Sequence, residues 1–550
     1  MKNIRKVFAL MLALVMCLGM FAGCSEQGGE EIVGPAPTIA TVPIHSSIAG
    51  KSNAERYPLN CDKTYTIANR MDEPNERELF QGWNEVTGVN ANWVDLKGDP
   101  LSQAMGGGDM PDAICISWGV DKSAVYEFGK AGKLVNFAEY LQYMPNFQKM
   151  LQKYPNALTN FLNVDGSFYS LPSHASGIGS PANLLYVRKD FLDNSGLQMP
   201  KTVDEFKKFV LDMQKHGENV EDIDGFVSLN FLKGGSTGYL EWNGYMDNFF
   251  FPSFGNDALQ TGYDLVGDKI VLGCTTEQYK RYLKYMAELY NSGACEQDIY
   301  SADCEAANLA KTANNQVAIA PNTSVNENNF ISETVELVLV EPLTSQWQSK
   351  KIWSNQTVPG WMLNCINGEL PEEDIITLVQ WFDAFYATDE DPLNEAGTVN
   401  GMYLYTGEKN VHWRDLDATN YERIYTGEYK TTTEYVNNEG CNATLYSVWS
   451  QKIQYENTKF YCKQIGVRDT LWPHIVERWT PESLFLTEEE GYEATDIRTE
   501  LKLYMDSAFA KFITGKWTVE NNWDEYISNL ESIGAMQLIE IYQTAYNRHK

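Results

Sequence analysis

Residues 64–68, which read Thr-Tyr-Thr-Ile-Ala, decide the fold, because they predict a buried strand that opens a series of alternating strands and helices. Asp72 and Pro74 then predict the start of a helix, and Gly88 predicts its end. A second strand, a short helix and a third strand are predicted at 89–96, 99–105 and 113–117. Strands that alternate with helices form a parallel sheet with right-handed crossovers, so we predict an α/β fold.

The carboxyl ends of these strands are the first candidates for a ligand site, because parallel sheets bind ligands at that edge. Residues 69–75 and 117–120 follow the first and third predicted strands. Trp118 could present a flat ring to a sugar, and Asn69 and Glu76 could bind its hydroxyl groups. A plain connecting role is an equally open interpretation for each loop, and Glu76 could simply favour the start of a helix.

Several short motifs occur in a fixed order along the chain. The first is Gly-Asp-Met-Pro-Asp at 108–112, before the third predicted strand. The others follow at 134–137, 143–146, 165–172, 185–192 and 200–206. Together they resemble the family 1 extracellular solute-binding proteins of ATP-binding-cassette (ABC) importers. In the last motif, Thr202 and Glu205 also have the spacing of a capping box, which predicts a helix start there.

The C-terminal part of the chain is similar to one branch of that family, the long lipoproteins associated with oligosaccharide uptake. The matching segments lie at 483–490, 512–516, 523–526 and 541–548, and Thr487 and Glu490 again have capping-box spacing. The resemblance spans nearly all of residues 62–550. It implies a bilobal periplasmic-binding-protein-like fold of type II, in which hinge strands join two α/β lobes, with an extended helical C-terminal region.

The order of the motifs also implies where each lobe lies. Lobe one would comprise residues 62–172 and 342–395, and lobe two residues 173–341 and 396–550, with the helical tail packed mainly on lobe two. The hinge crossings would lie near residues 171–172 and 341–342. Lobes of this kind close on a ligand held between them.

The first 24 residues predict export and a lipid anchor. Three basic residues precede an apolar run over 7–20, which is typical of a secretory signal and too short for an ordinary membrane span. Phe-Ala-Gly-Cys at 21–24 resembles the lipobox of bacterial lipoproteins, with phenylalanine where leucine is usual. We therefore expect residues 1–23 to be a signal peptide and Cys24 to carry lipid, such as palmitate. The alternative is a plain secretory signal with an incidental cysteine.

The segment after the signal predicts how the protein is held at the membrane. Residues 24–61 contain many Gly, Pro and Ser residues and predict a flexible tether on the outer face of the cell membrane. The chain carries a formal net charge of −31 at pH 7. This negative charge excludes a phosphate-neutralising surface for nucleic acid and repels anionic lipid, so the lipid on Cys24 would be the membrane contact.

Eight cysteines remain when Cys17 and Cys24 are set aside. An even number in an exported chain allows disulfides, whereas buried free thiols are an equally open interpretation. The chain has no Cys-x-x-Cys pair, which argues against structural zinc or a redox motif. Residues 216–225 stand where many members of the family have a calcium loop, but the alternating oxygen ligands are not preserved. We therefore expect no bound metal and no cofactor.

Aromatic residues make up 13% of the chain, a composition that suits a carbohydrate cleft as well as a core. Aromatic residues in polar or Gly-rich segments are candidates for stacking on sugar rings: Trp118, Tyr239, Trp242, Trp353 and Trp361. The polar candidates are His174, after the first hinge, and Arg188, whose guanidinium could donate a fork of hydrogen bonds. Core packing for each tryptophan and a salt bridge for Arg188 are the alternatives.

Three classes of function fit an exported lipoprotein with these features. Gly-Gly-Ser-Thr-Gly at 234–238 fits the nucleophile elbow of a hydrolase, with His412 or His474 downstream, but the Gly-broken aromatic stretch after it does not suit the helix that an elbow needs. A peptide binder, a sensor or an adhesin could use the same fold. We expect a monomeric binding protein without catalytic activity, which captures an extracellular oligosaccharide for ABC permease subunits.

Overall fold

The computed structural model describes residues 41–95, 110–117, 122–153, 155–158, 161–163, 165–172, 184–217, 225–229, 249–255, 262–297, 310–311, 314–322, 336–355, 363–388, 390–398, 403–417, 420–429, 432–441, 453–455, 467–477, 484 and 486–548. Its α-helices are α1 (Asn53–Arg56), α2 (Glu78–Thr87), α3 (Lys122–Lys130), α4 (Pro145–Lys153), α5 (Lys189–Ser195), α6 (Val203–Gly217), α7 (Glu277–Tyr290), α8 (Glu372–Ala384), α9 (Tyr403–Thr406), α10 (Thr432–Glu439), α11 (Glu488–Ile513), α12 (Val519–Ile533) and α13 (Ala535–Arg548). Its strands are β1 (Thr64–Asn69), β2 (Asn90–Asp95), β3 (Ala113–Ser117), β4 (Leu184–Arg188), β5 (Val227–Leu229), β6 (Tyr263–Val266), β7 (Lys269–Leu272), β8 (Val317–Asn322), β9 (Leu337–Leu339), β10 (Trp353–Asn355), β11 (Leu363–Ile366), β12 (Trp413–Asp415), β13 (Asn420–Arg423), β14 (Ile453–Tyr455) and β15 (Ile475–Glu477).

The first sheet contains four strands in the order β11-β3-β1-β2. β1 pairs in parallel with β2, with Thr64 opposite Asn90, and it pairs in parallel with β3 on its other side. The three strands predicted from the first part of the chain and their parallel arrangement are therefore confirmed. β11 joins the same sheet antiparallel to β3, so a segment far along the chain completes it.

Asp112, the last residue of the motif at 108–112, ties this sheet together. Its carboxylate accepts a hydrogen bond from the backbone N–H of Thr66 at 2.7 Å. Its carbonyl oxygen accepts one from the N–H of Asn367, directly after β11, at 3.0 Å. One aspartate thus links β1 to the turn that follows β11. This link gives the motif at 108–112 a structural role.

Helix α2 begins later than the sequence predicts, because Pro74–Glu76 forms a separate 3-10 turn after Glu73, which has a left-handed backbone (φ 48°). Trp83 on its apolar face is fully buried. Gly88 ends the helix as predicted, with φ 69°, and a Cβ atom there would stand 2.6 Å from the backbone nitrogen of Leu59. Glycine is therefore required at this position by both conformation and space.

The second sheet is mixed and has the strand order β5-β8-β4-β9. β4 lies between β8 and β9 and is antiparallel to both, whereas β5 is parallel to β8. Leu185 and Val187 of β4 belong to a buried apolar core, and Tyr186, which faces the other side of the sheet, is also buried. The two separate sheets agree with the predicted architecture of two α/β lobes.

Buried apolar residues form two main cores, each built around one of these sheets. The first core comprises members between Tyr57 and Leu171, members between Ile366 and Leu404, and Cys441. The second core comprises members between Leu185 and Leu343 and between Ala494 and Tyr542. Helices α11, α12 and α13 therefore pack on the second core, where the helical tail was expected.

Residues 403–441 pack differently from the rest of the tail. Tyr403 belongs to the first core, and Tyr435 packs on Leu79 of α2. Assigning 396–550 as a whole to lobe two therefore needs a correction, because the apolar side chains of this segment fill the space beside α2. The other lobe boundaries stay predictions.

The segment 41–61 packs on the first core instead of forming the flexible tether predicted there. Arg56 pairs with Asp383 of α8 at 2.8 Å, and their side chains are 2% and 0% exposed. Asn53 and Asn146 exchange two amide hydrogen bonds of 3.0 Å, and Arg56 donates to the Asn53 side chain at 3.0 Å. The polar residues of this segment thus join a buried network, which we call the Arg56 cluster (Asn53, Arg56, Asn146 and Asp383), and only tertiary contacts reveal that role.

The two predicted capping boxes have different outcomes. At α11, Thr487 Oγ1 accepts the N–H of Glu490 at 3.2 Å and the Glu490 carboxylate accepts the N–H of Thr487 at 2.8 Å, so the box is confirmed. At α6, Thr202 Oγ1 accepts the N–H of Glu205 at 3.1 Å. The Glu205 carboxylate, however, accepts the N–H of Lys201 at 2.7 Å, one residue before the position that a capping box requires.

The cysteines in the described residues are free thiols: Cys61, Cys115, Cys274, Cys295, Cys365 and Cys441. Burial raises the pKa of Cys365 to about 12, so this thiol stays protonated and unreactive at neutral pH. Within the described ranges, no helix combines the length and the apolar character that crossing a membrane would need.

Candidate functional site

The carboxyl end of β1 lies at the sheet edge where the sequence predicts a ligand. Asn69 ends this strand and its side chain is buried. Its Oδ1 accepts the N–H of Met71 at 2.9 Å, whereas its Nδ2 is buried and has no hydrogen-bond partner among the described residues. Buried amide donors are rarely unpaired, so this nitrogen is unusual.

Asn75 holds the loop after β1 in place. Its Nδ2 donates to the carbonyl oxygen of Trp93 at 2.6 Å, and its Oδ1 accepts the N–H of Trp93 at 2.8 Å. These two bonds pair the loop with β2 in the way that another strand would. Glu76, a predicted ligand contact, lies in the 3-10 turn next to Asn75 and is exposed.

Glu78, the first residue of α2, is the centre of a polar cluster. Its Oε1 lies 3.2 Å from His412 Nε2, and its Oε2 accepts hydrogen bonds from Thr426 Oγ1 at 2.6 Å and from the Tyr435 hydroxyl at 3.4 Å. The Glu78 side chain is nevertheless 43% exposed. Partial burial raises the pKa of Glu78, but the hydrogen bonds from Thr426 and His412 outweigh it and lower the pKa overall. The carboxylate is therefore charged, oriented and open to solvent.

His412 acts on Glu78 as a hydrogen-bond donor. The backbone N–H of Glu408 donates to His412 Nδ1 at 2.8 Å, so the ring proton lies on Nε2 and points at the Glu78 carboxylate. Gly407, with φ 74°, allows the ring to come close, since a Cβ atom there would stand 2.5 Å from it. The imidazole is thus fixed from both sides.

Arg423 lies in the same cluster, between two tyrosine rings. Its guanidinium carbon is 5.1 Å from the Tyr405 ring centre and 5.3 Å from that of Tyr435. Its NH2 donates to the Tyr405 carbonyl at 2.8 Å, whereas Nε and NH1 are buried and have no partner in the part of the chain that the structure describes. Burial raises the pKa of Tyr435, so its hydroxyl stays protonated and can donate to Glu78. We call Glu78, His412, Arg423, Thr426 and Tyr435 the Glu78 cluster.

The chain is similar in sequence to two curated sugar-binding proteins, although no model of a known protein family matches it. It is 22% identical over 499 residues to the fructooligosaccharide ABC transporter substrate-binding protein FusA of Streptococcus pneumoniae, a match that covers 87% of this chain and 88% of FusA. It is 23% identical over 482 residues to the polygalacturonan/rhamnogalacturonan-binding protein YtcQ of Bacillus subtilis, which covers 84% of this chain and 86% of YtcQ.

Solved structures show the same fold over 88% of this chain. A solute-binding protein from Bifidobacterium longum infantis, described as binding HMO and associated with an ABC transporter, superposes with a TM-score of 0.68 at 15% identity over 99% of its length. FusA in complex with kestose superposes with a TM-score of 0.64 at 19% identity, also over 99% of its length. The chain is thus similar to solute-binding proteins in both sequence and fold. The predicted family and the bilobal fold are confirmed, and the named relatives are binding proteins rather than enzymes.

Five of the ligand contacts predicted from the sequence lie outside the described residues: Trp118, His174, Tyr239, Trp242 and Trp361. The predicted lipidation site, Cys24, also lies outside them. Asn69, Glu76, Arg188 and Trp353 are described: Asn69 ends β1, and Glu76 ends the 3-10 turn that follows it. All of these stay predictions as ligand contacts.

Arg188 and Trp353 have surroundings that fit the alternatives named for them. Arg188 Nε donates to Asp190 Oδ1 at 3.1 Å, and its NH1 donates to Asn315 Oδ1 at 2.7 Å. Its guanidinium also lies over the Phe191 ring, with 4.8 Å to the ring centre. Trp353 on β10 is 1% exposed, which leaves almost no ring surface for stacking on a sugar.

The Glu78 cluster was missed in the sequence analysis, although the chain carries a signal for it. Six tyrosines occur between residues 403 and 435, and His412 and Arg423 lie among them. Such a density of tyrosine is typical of surfaces that bind polar ligands. Its position beside α2 could not be predicted, because no periodic pattern links the segment to that helix.

The residues considered for a hydrolase do not assemble in the described part of the protein. The segment 234–238 lies outside it. His412 is held by Glu78 and by a backbone N–H, and burial lowers the pKa of His474. Within the described ranges, no group of three or more His, Cys, Asp or Glu residues could hold a metal ion.

Proposed function

We propose that this protein captures an oligosaccharide outside the cell and presents it to the permease subunits of an ABC importer. Two of its relatives, matched over most of both chains, are named for binding fructooligosaccharide and polygalacturonan or rhamnogalacturonan. The observation that carries the proposal is the Glu78 carboxylate, which is oriented by hydrogen bonds, is 43% exposed and begins the helix that follows β1. Such a group suits the hydroxyl groups of a sugar.

Capture requires no covalent bond to be made or broken. A ligand that contacts both lobes binds the closed form better than the open form, and it shifts the population by that difference in affinity. The hinge crossings are proposed near residues 171–172 and 341–342. In support, the Tyr386 hydroxyl donates to the carbonyl oxygen of Pro172 at 2.6 Å, and Lys351 pairs with Glu341, so each crossing is held by a specific contact.

The protein is proposed to be a monomer held at the outer face of the membrane by lipid on Cys24. One relative, LipO of Bacillus subtilis, is named a lipoprotein and is 26% identical over 298 residues, or 53% of this chain. Residues 41–61 pack on the first core, and residues 24–40 of the predicted tether lie outside the described residues. Mass spectrometry of the mature N-terminus tests the acylation.

A thermal-shift screen with purified protein tests the proposed function. Fructooligosaccharides, galactooligosaccharides and oligogalacturonides are suitable probes, and a bound probe at 100 times its Kd adds about 2.7 kcal/mol of stability. We expect at least one glycan to raise the melting temperature and to be recovered intact. No shift with any glycan, or breakdown of the bound one, would contradict the proposal. Loss of affinity in Trp242→Ala or Trp361→Ala would support the predicted aromatic contacts.

A further inference from the structure

We infer that the Glu78 carboxylate binds the ligand directly, accepts hydrogen bonds from sugar hydroxyl groups, and selects an uncharged oligosaccharide over one that contains uronic acids. This inference rests on the proposed function and names the ligand class within it. The two curated relatives leave that class open, because one is named for a neutral glycan and the other for an acidic one.

The first argument is that Glu78 is both fixed and accessible. Donors from three separate positions, His412, Thr426 and Tyr435, hold its two oxygen atoms. A carboxylate can accept about four hydrogen bonds, so one acceptor position remains, and 43% of the side chain is exposed. An ordinary exposed glutamate loses side-chain entropy when it binds a ligand, whereas Glu78 is already ordered.

The second argument is the place of Glu78 in the fold. It begins the helix that follows β1, and Asn75 fixes the loop between them against β2. Asn69, which ends β1, is buried and its Oδ1 accepts the N–H of Met71, the second residue of the same loop, at 2.9 Å. A sugar hydroxyl donates one hydrogen bond, so a fixed acceptor at this sheet edge matches its chemistry.

The third argument concerns charge. The negative charge of Glu78 reaches solvent, whereas the positive charge of Arg423 lies inside the cluster, with the residue 8% exposed and its Nε and NH1 buried. Glu439 adds a second carboxylate, which accepts the Glu78 N–H at 3.0 Å and the Tyr429 hydroxyl at 2.6 Å. The Arg77 guanidinium, beside Glu78, is bound to the carbonyl oxygens of Asp72 and Gly440. A uronate at the cluster would therefore meet two carboxylates while both guanidinium groups are already engaged, so it would be repelled.

Glu78→Gln tests the inference, because it removes the charge and keeps the shape. The matched control is Glu85→Gln, an exposed glutamate further along α2. Isothermal titration calorimetry with a neutral fructooligosaccharide, a neutral galactooligosaccharide and an oligogalacturonide gives the affinities. We expect a neutral glycan to bind, Glu78→Gln to weaken it by about 10- to 100-fold, and Glu85→Gln to change it by less than about twofold.

The outcomes separate this inference from the proposed function. If a glycan binds but Glu78→Gln leaves its affinity within about twofold, or if the oligogalacturonide binds more tightly than both neutral probes, the inference is overturned while the function stands. If no glycan binds, both are overturned. Should Glu78→Gln fail to fold, Thr426→Val decides, because it removes one donor and keeps the carboxylate. We expect it to weaken a neutral glycan by about 2- to 5-fold, and an unchanged affinity would overturn the inference.

Discussion

Two polar clusters lie on the first core, and they differ in what surrounds their acidic groups. In the Arg56 cluster, the side chains of Arg56 and Asp383 are 2% and 0% exposed, whereas in the Glu78 cluster the Glu78 side chain is 43% exposed. Both clusters join distant parts of the chain, since their central pairs are 327 and 334 residues apart in sequence. The closed cluster has its acceptors satisfied by protein, and the open one keeps an acceptor position for another molecule.

The pKa values of Asp383 and Glu78 shift in opposite directions, because burial and hydrogen bonding balance differently at the two carboxylates. Burial raises the pKa of Asp383 even though Arg56 is bonded to it, because desolvation exceeds the attraction. The pKa of Glu78 is lowered, because its partial burial is outweighed by hydrogen bonds from Thr426 and His412. Exposure therefore decides whether an acid in a polar cluster is suited to holding the fold or to binding a ligand.

The comparison predicts the largest stability effect for Arg56→Met. The substitution leaves the fully buried Asp383 carboxylate without its cation, which costs about 3–5 kcal/mol of unfolding free energy. Urea denaturation followed by far-ultraviolet circular dichroism measures the loss. The double variant Arg56→Met/Asp383→Leu is the control and should regain most of the stability, because no buried charge remains. A loss below about 1 kcal/mol in the single variant would show that the Arg56 cluster is not shielded from solvent.

Asn53→Ala should have the next largest effect, about 2–3 kcal/mol in the same assay. It removes the paired amide bonds with Asn146 and the acceptor for Arg56, so buried donors lose their partners. Ser52→Ala is the matched control, because this neighbour is exposed and its hydroxyl bonds only to Glu55 within the described residues. We expect about 1 kcal/mol or less for the control, and equal losses in both variants would contradict a buried network.

Glu78→Gln should have a smaller effect on stability, and that effect should depend on pH. The folded pKa of Glu78 lies below its ordinary value of 4.5, so the carboxylate stabilises the fold above that value, and this contribution is lost as the pH falls through the folded pKa. Solvent screening limits it to about 0.5 kcal/mol. Urea denaturation at pH 7 and at pH 3 should show a difference between wild type and variant that shrinks in acid. A difference that grows in acid would contradict the assignment.

An exposed ion pair should show the smallest effect and so define the baseline. Lys208 and Asp212 pair four residues apart on α6, with side chains 77% and 26% exposed. Lys208→Ala should change the unfolding free energy by less than about 0.5 kcal/mol, because solvent screens the pair. Differential scanning calorimetry can check it. A loss comparable to that of Asn53→Ala would mean that burial is not what separates the two clusters.

Local patterns in the sequence predicted local structure well. The strand predicted at 64–68, the helix end at Gly88 and the capping box of Thr487 and Glu490 all formed as expected. Each depends on a few neighbouring residues, whose backbone preferences and hydrogen bonds are set within one or two turns of chain. The order of the motifs was enough for the bilobal fold, and comparison with solved structures confirmed it.

The contacts that the sequence did not predict join residues that are far apart in the chain. Composition suggested a tether at 41–61, and the resemblance implied a tail on lobe two at 403–441, yet both segments pack on the first core. Polar and aromatic residues look alike in sequence whether they face solvent or a buried partner. The difference arises only when Arg56 finds Asp383, or Glu78 finds His412, across more than 300 residues of chain.

The sequence by itself thus determined the elements, the family and the edge of the sheet where a ligand is expected, because these follow from periodicity, caps and motif order. Tertiary structure alone decided which polar residues are sealed inside the first core and which remain open at its edge. The physical reason is that burial and hydrogen-bond satisfaction are properties of the packed chain. Asp383 and Glu78 are both acids near helix ends, and only their surroundings separate a structural acid from a candidate ligand contact.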